Sequence, residues 1–518
     1  MTRFDDERIG PLAEKIRTAQ LGEKLSVRII DIDAGRSIAL MHENDARRLS
    51  IHMGDRAYIF KKSKRGAYGG VAIIDVTDTM VAEGEIGVFN DLAKSMKLNS
   101  RSTVFVTPRE KPESVSYIRK KIDGCELSRD EIYAITRDIV YDNLSDIELT
   151  SFVTASAIYG FTKRETVSLT MAMVDTGEKL DFDGIVVDKH CIGGVPGNRT
   201  TMMIVPMLAA LGLKIPKTSS RAITSPSGTA DTMEVLANVS YQARDIRRFV
   251  NKVGGCIVWG GAINLAPADD KIIRVEYPLS IDSEGQVLAS IISKKKSVGS
   301  NYVLVDIPYG RGAKIQTRKG ARELGKKFVW LAGEVGMKLK YLLTDGTQPI
   351  GNGIGPVLEA RDILMALDGE GPKDLVDKSV MMVGELMEFC GMSSKGKGAK
   401  EARRCLEEGR AKQKMQEIIN VQGGNPHIKP DELRPGRYRQ HVFSKTGGRV
   451  SRIDNMLIST IARTAGAPKD PRAGILLEKK VGDKVSAGEL LFTIYSQTVV
   501  KLRYAVKLMQ KSNPFLIE

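Results

Sequence analysis

Asp188-Lys189-His190-Cys191-Ile192-Gly193-Gly194-Val195-Pro196-Gly197-Asn198 follows the apolar run Gly184-Ile185-Val186-Val187 and leads into a long helical pattern. Its three glycines let backbone N–H groups approach an anion, a helix N-terminus behind them favours negative charge, and Lys189 supplies a cation. In outline this is a phosphate cradle. A plain strand-to-helix turn, with glycines for tight packing, meets the same spacing equally well. A second loop, Ser219-Ser220-Arg221-Ala222-Ile223-Thr224-Ser225-Pro226-Ser227-Gly228-Thr229-Ala230-Asp231, crowds hydroxyls around one arginine and again opens a helix. Hydroxyls and a forked guanidinium suit phosphate or ribose. For any single Ser or Thr, an N-cap in a solvated loop competes with that reading.

Other segments carry charge close to glycine. Lys314, in Tyr309-Gly310-Arg311-Gly312-Ala313-Lys314, fits a loop that brings a cation over bound substrate, and equally an ordinary strand-end turn. Lys294, Lys295 and Lys296 form a run of the kind that lines a solvated helix face, and two of the three are expected there. Asp282, in Leu279-Ser280-Ile281-Asp282-Ser283-Glu284-Gly285, reads from its neighbours as a turn residue. His190 either orients an anion or packs in its turn. The glycine-rich stretch from Leu342 to Pro356 is weak as a phosphate site and fits a hinge or close packing at a strand end.

Such loops need elements to position them. Residues 24–90 alternate short apolar strands with turns, and the segment from His42 to Ile59 resembles the double-psi barrel pattern, a short acidic helix leading into a Gly-Asp turn and a strand. Past about residue 100 apolar residues recur at three- and four-residue spacings. Ser128, Ser145 and Thr162 each stand three residues before a glutamate, as N-caps do. From about residue 184 strand, glycine turn and helix repeat, which predicts a mostly parallel sheet with ligand loops at the carboxyl ends of its strands. After a break between Asn425 and Tyr438, short strands return. The stretch from Ala473 to Ser496 resembles the half-barrel of biotinyl and lipoyl carrier domains, without their modifiable hairpin lysine. The expectation is a multidomain α/β chain. It has a β-rich, double-psi-like barrel module over 1–100, suited to assembly, and a helical lobe over 101–183 joined by about 268–298. A mostly parallel α/β sheet lobe over 184–267 and 299–430 follows, then a barrel-sandwich-like α+β domain over 431–518.

With 518 residues, 42% of them hydrophobic, the chain can bury cores for three or four domains. Its longest apolar stretch, Met202 to Leu213, is interrupted by Pro206 and falls short of the roughly 20 residues a membrane-spanning helix needs. The charged start has no signal-peptide core, so a cytoplasmic location is expected. The 5 cysteines include no Cys-x-x-Cys pair and the 5 histidines no close pair, so reduced thiols and no zinc site are expected. A formal charge of +15 suits nucleic acid, an anionic membrane surface or small polyanions. Aromatics make up 6% and no basic-aromatic stripe is present, which argues against nucleic acid.

Taken in order, DKHCIGGVPGNRTTMMIVPMLAALG, TSSRAITSPSGTADTMEVL, INLAPADD, LASIISKKKSVGS and LLTD resemble the thymidine phosphorylase family from about residue 110 onward. The N-terminal module and the wording SSRAITSPSGTADTMEVL resemble its archaeal AMP phosphorylase branch over essentially the whole chain. The resemblance implies that AMP and phosphate give adenine and ribose 1,5-bisphosphate, with CMP and UMP as further substrates. It implies phosphate binding by Lys189, Thr201, Ser219 and Thr229, with Cys191 standing where the family carries a serine. It also implies AMP contacts from Gly194, Ser220, Arg221, Ala222, Ile223, Thr224, Ser225, Thr229, Ser290 and Lys314, with Ser290 and Lys294 on the base side and Asp282 as proton donor. An acid aimed at a ring nitrogen eases departure of the base, provided burial or nearby anions raise its pKa. Ala222, Thr224, Ser225 and Ser227 replace the glycines and histidine of thymidine phosphorylases, making room and donors for a 5′-phosphate. Arg274 falls one residue from the family's base-site arginine.

AMP and phosphate together carry roughly three to four negative charges near neutral pH. Lys189, Arg221, Lys294 and Lys314 supply enough cations to hold both, so no metal ion or other cofactor is expected. Neither nucleic acid nor membrane is an expected partner, and the family pattern implies a homodimer through the helical lobe, or a larger homo-oligomer. The rival expectation is a pyrimidine nucleoside phosphorylase, which needs no 5′-phosphate; Thr224 and Ser225 discriminate. An anthranilate phosphoribosyltransferase-like reaction shares the architecture but its substrate-loop signature is absent, and a nucleic-acid adaptor ranks last.

Overall fold

The computed structural model describes residues 22–35, 37–63, 66–222, 225–279, 281 and 283–518. The chain divides into two compact units, Met1–Ala172 with Ala268–Gln286 and Met173–Pro267 with Val287–Glu518. The helix Glu284–Ser297 crosses that division, so the segment returning to the first unit is shorter than the 268–298 expected. Its later residues belong elsewhere because Ser293 and Lys295 meet Met173 and Asp188.

The first unit opens with a closed barrel of β1 (Glu23–Ile30), β2 (Ile38–His42), β3 (Arg56–Ser63), β4 (Gly66–Thr77), β5 (Glu85–Phe89) and β6 (Thr103–Arg109), in the order β1-β5-β2-β4-β3-β6. Alternation explains it. Leu25 and Val27, Ala39 and Met41, Ala57 and Ile59, Ala72 and Ile74, Ile86 and Val88, and Val104 and Val106 each sit two residues apart and point into one core. Parallel pairs (β1 with β5, β2 with β4) mix with antiparallel ones (β3 with β4 and β6), and closure leaves no open edge. β6 carries the barrel past residue 100, where the sequence reading turns to helix; Val104 and Val106 are the alternating signal for it.

Helices Ser114–Ile122, Arg129–Val140, Asp146–Tyr159 and Lys163–Asp175 follow. Ser128 and Ser145 form capping boxes with Glu131 and Glu148, and Thr162 exchanges the same two bonds with Glu165 at 2.7 and 3.2 Å. Within this unit Arg56, buried on β3, donates from Nε to the carbonyl of Asn143 at 2.5 Å and pairs with Glu148, fastening barrel to helices.

The second unit contains β7 (Val187–Cys191), β8 (Ile215–Ser219), β9 (Gly255–Trp259), β10 (Tyr302–Tyr309) and β11 (Lys338–Asp345). All their pairings are parallel, in the orders β11-β10-β7 and β8-β9, and a parallel bridge between Val186 and Lys214 links the two groups. The helix Thr200–Ala210 is buried from Thr200 through Ala209. A helix apolar on every side belongs in a core, and this one takes up most of the long apolar stretch. Among the described residues no helix is long and apolar enough to cross a membrane.

Toward the C-terminus the strands Gly353–Ile354, Gly474–Leu477, Leu490–Ser496 and Tyr438–Phe443 form one sheet in that order, and Lys484–Val485, Gly448–Ile453 and Phe515–Ile517 form another. Helices Asn455–Ala465 and Val499–Lys511 contribute Ile458, Ile461, Ala462 and Ala505 to the core they share.

Candidate functional site

Consecutive side chains of β7 face opposite sides of the sheet. On one side Asp188 is fully buried, 3.1 Å from Lys217 Nζ and 2.8 Å from Lys295 Nζ. Burial works against its charge, but the two ammonium groups prevail and hold its pKa below the ordinary value. Lys295 is pushed down to about 7 by burial, with Asp188 opposing and Lys217 adding to the fall. At 3% exposure Lys295 is not on the solvated face that the lysine run suggests, because a buried carboxylate requires a buried cation. His190, on the same side as Asp188, has its pKa pushed well below 6.5, by burial first and then by Lys295, Lys217, Lys189 and Lys294. Its imidazole is neutral at neutral pH.

On the other side Lys189 is buried and donates to Thr200 Oγ1 at 2.9 Å, which donates on to Asn198 Oδ1 at 3.2 Å. Burial lowers the Lys189 pKa, with Cys191 and Asp306 opposing. Asp306, on β10, accepts from Thr344 Oγ1 at 2.6 Å and Asn198 Nδ2 at 3.3 Å and pairs with Lys378 at 2.9 Å. Burial raises its pKa, but Lys378 and Lys189 outweigh that and keep it an anion. Cys191 stays a thiol, its pKa raised by burial and by Asp306. Asp306 thus pairs directly with Lys378 and is felt electrostatically by Lys189.

The turn itself requires glycine. Gly194 has φ +89°, and a Cβ there would lie 2.5 Å from the backbone nitrogen of Lys314; at Gly197, φ +69°, it would lie 2.2 Å from the Ile350 carbonyl. Gly194 and Lys314, far apart in sequence, are brought together by this contact. Thr201 lies buried in the first turn of the helix that follows.

In the second loop Ser219 ends β8, and its buried hydroxyl has no hydrogen-bond partner among the described residues. Arg221 is partly exposed but held by side chains of the following helix. It pairs with Glu234, with Nη2 to Oε1 at 2.6 Å, lies 3.5 Å from Asp231, and stacks 5.0 Å from the centre of the Trp259 ring. Asp231 Oδ2 accepts the N–H groups of Ala222 at 2.7 Å and Gly228 at 2.8 Å, which staples the loop at both ends. Ser225 donates to the carbonyl of Ser227 at 3.0 Å, and Ser220 is exposed. Ile223, Thr224 and Asp282 lie outside the described residues.

Ser290 and Lys294 are both partly buried, four residues apart on one face of the helix Glu284–Ser297. Arg274 stands in the first unit, donating to the carbonyl of Gly35 at 3.3 Å and to Asp146 at 3.0 Å. The residues that sequence reasoning overlooked are mostly charged groups turned inward: Arg199, Lys217, Asp306, Glu359 and Lys378. Asp306 alone left a signal, a carboxylate set among the apolar residues of β10.

Residues 183–412 match the glycosyl transferase family a/b domain, 115–177 the helical bundle domain of the same family, and 449–515 the pyrimidine nucleoside phosphorylase C-terminal domain. An AMP phosphorylase of Thermococcus kodakarensis is 47% identical over 96% of this chain and 98% of its own. AMP phosphorylases of Pyrococcus furiosus (45%, covering 95% and 97%) and Methanococcoides burtonii (43%, covering 96% and 97%) are also similar. Among solved structures, an anthranilate phosphoribosyltransferase from Thermus thermophilus superposes with a TM-score of 0.50 at 17% identity, over 59% of this chain and 98% of its own, a likeness of fold.

Proposed function

The chain belongs to the AMP phosphorylase family, and we propose that it is a pentosyltransferase that uses phosphate to displace adenine from AMP. The strongest support is the glycine turn above buried Lys189, in a chain 47% identical to an AMP phosphorylase over 96% of its length. In this reading phosphate is held by Lys189, Thr201, Ser219 and Thr229. The nucleotide is held by Gly194, the run Ser220 to Ser225, Thr229, Ser290, Lys294 and Lys314, with Arg221 exchanging Glu234 for a phosphate oxygen. A phosphate oxygen attacks C1′, the bond from C1′ to the base breaks, Asp282 gives the departing adenine its proton, and ribose 1,5-bisphosphate remains. CMP and UMP react likewise, and lysine cations serve where a metal otherwise would. We extend the proposal to a cytoplasmic homodimer or larger homo-oligomer, a double-psi-like barrel at the N-terminus and a barrel-sandwich-like domain at the C-terminus.

The match of residues 449–515 to a pyrimidine nucleoside phosphorylase domain favours one alternative, a nucleoside phosphorylase that needs no 5′-phosphate. Incubation with phosphate and either AMP or adenosine, followed by chromatography of free adenine, decides between them. Release from AMP and not adenosine is expected. Release mainly from nucleosides, pyrimidine nucleosides included, would overturn the reading and the 5′-phosphate role of the second loop.

A further inference from the structure

Arg199 stands immediately before the helix Thr200–Ala210, as its N-cap residue. Its guanidinium turns inward. Nε donates to Glu359 Oε2 at 2.5 Å, Nη2 to the carbonyl of Ser227 at 2.6 Å, and Nη1 to Thr229 Oγ1 at 3.3 Å. Glu359 is 1% exposed; the same oxygen accepts from Thr232 Oγ1 at 2.9 Å, and Oε1 accepts the N–H of Gly355 at 3.2 Å. Ser227 Oγ and Thr232 Oγ1 lie 2.8 Å apart. One ion pair therefore ties the glycine turn, the second loop and the helix Pro356–Leu367 together. Such pairs are a poor source of stability, since apolar residues of the same shape often do as well. A rigid fork of donors is well suited to holding several acceptors in fixed relation.

Counting protons at Thr229 gives the consequence. A hydroxyl has one proton and two acceptor positions, and an arginine can only donate. Arg199 therefore occupies a lone pair of Thr229 Oγ1, and the hydroxyl's own proton is left for another acceptor. At the start of the second loop, the buried hydroxyl of Ser219 has no partner among the described residues. We propose that Arg199, braced by Glu359, is a positioning residue that makes Thr229 an oriented donor to a phosphate oxygen and fixes the spacing of the two anion loops. The inference rests on the phosphorolysis reading and adds to it the residue that sets up anion binding. The phosphate oxygen belongs either to inorganic phosphate or to the 5′-phosphate of AMP.

The test compares the wild type with Arg199→Lys, Thr229→Val and the double variant, varying phosphate and AMP separately. Arg199→Lys keeps a charge toward Glu359, but its donors radiate from a single nitrogen and cannot reach the three acceptors that Nε, Nη1 and Nη2 of the guanidinium meet separately. It is expected to raise the KM for one anion by about tenfold, the scale of one hydrogen bond to a charged group, with kcat changed far less. Thr229→Val should move the same KM, and the double variant should be no worse than Thr229→Val alone. Whichever KM moves names the anion. Effects that multiply, or an Arg199→Lys variant with both KM values unchanged, would overturn the proposal. Thermal stabilisation by phosphate or by AMP gives the same comparison without turnover. A wild type that binds these anions but releases no adenine refutes phosphorolysis while leaving the Arg199 test in force; a wild type stabilised by neither anion overturns the proposal as well.

Discussion

Asp188 is the hub of a buried cluster with one more cation than anion, and that imbalance orders the effects of substitution. Asp188→Asn leaves Lys217 and Lys295 side by side without a counter-charge, a loss on the order of 3–5 kcal/mol. Lys295→Met removes a cation whose proton is already loosely held and leaves Asp188 paired with Lys217, so it costs clearly less. Urea unfolding of both variants measures the order, and the reverse order would remove Asp188 from the centre of the cluster. For the proposed proton donor, Asp282→Asn is expected to lower kcat by roughly 10²-fold or more with little change in AMP affinity, and unchanged turnover would exclude it. The glycine turn with Lys189 was legible in the sequence because its signal is local: apolar strand, glycines, helix. The inward turn of Lys295 was not. It depends on Asp188, more than a hundred residues earlier, and nothing in a run of three lysines says which one meets it.

Among the elements, the connection from β11 to the helix Pro356–Leu367 is held by three carboxylates, Asp374 on Gly351, Glu359 on Gly355 and, with the shortest bonds, Asp362. Asp362 Oδ2 accepts the N–H groups of Asn352 at 2.6 Å and Gly353 at 2.7 Å. Lys480 Nζ reaches the carbonyls of Pro349 and Gly351 at 2.6 and 2.7 Å. Burial pushes the Asp362 pKa up to about 6, although both N–H groups oppose the rise. A carboxyl whose pKa is raised by folding binds its proton more tightly in the folded state. Its contribution is fully present below the unfolded value of 3.8 and is lost as pH rises through about 6. The shift corresponds to about 3 kcal/mol at most. Asp362→Asn places a neutral carbonyl oxygen where both donors converge, so its melting temperature should fall less than that of the wild type between pH 5 and pH 8. Equal falls would show that Asp362 is not the titrating group. The sequence marked this stretch by its glycines as a hinge or a place of close packing, and the N-caps Ser128, Ser145 and Thr162 by their paired glutamates. Asp362 left no comparable mark, since one acidic residue in a helix reads as a solvated one.

For the molecule as a whole, Arg56 is the clearest single fastening between the barrel and the helices of the first unit. Arg56→Met leaves Glu148 with its Ser145 capping bonds but no counter-charge and takes a donor from the Asn143 carbonyl, so limited proteolysis should cut the exposed link after β6 faster than in the wild type and release the barrel. An unchanged cleavage rate would mean that other contacts do this work. Strand and helix textures made the N-terminal barrel and the helical and sheet portions legible, whereas the end of the returning segment was not, because Glu284–Ser297 is one unbroken helix whose contacts, not its pattern, divide it. That return has a consequence for synthesis. All six barrel strands emerge early and pair only with one another, so the barrel can close on the nascent chain. The helices behind it wait for residues 268–286: Lys271 and Arg274, which bind Val140, Asp142 and Asp146, and Gly285, which packs on Phe161. At the usual rate of chain elongation that wait lasts roughly 5–20 seconds. During it a ribosome carries a barrel able to close and helices still lacking the partners that residues 268–286 supply.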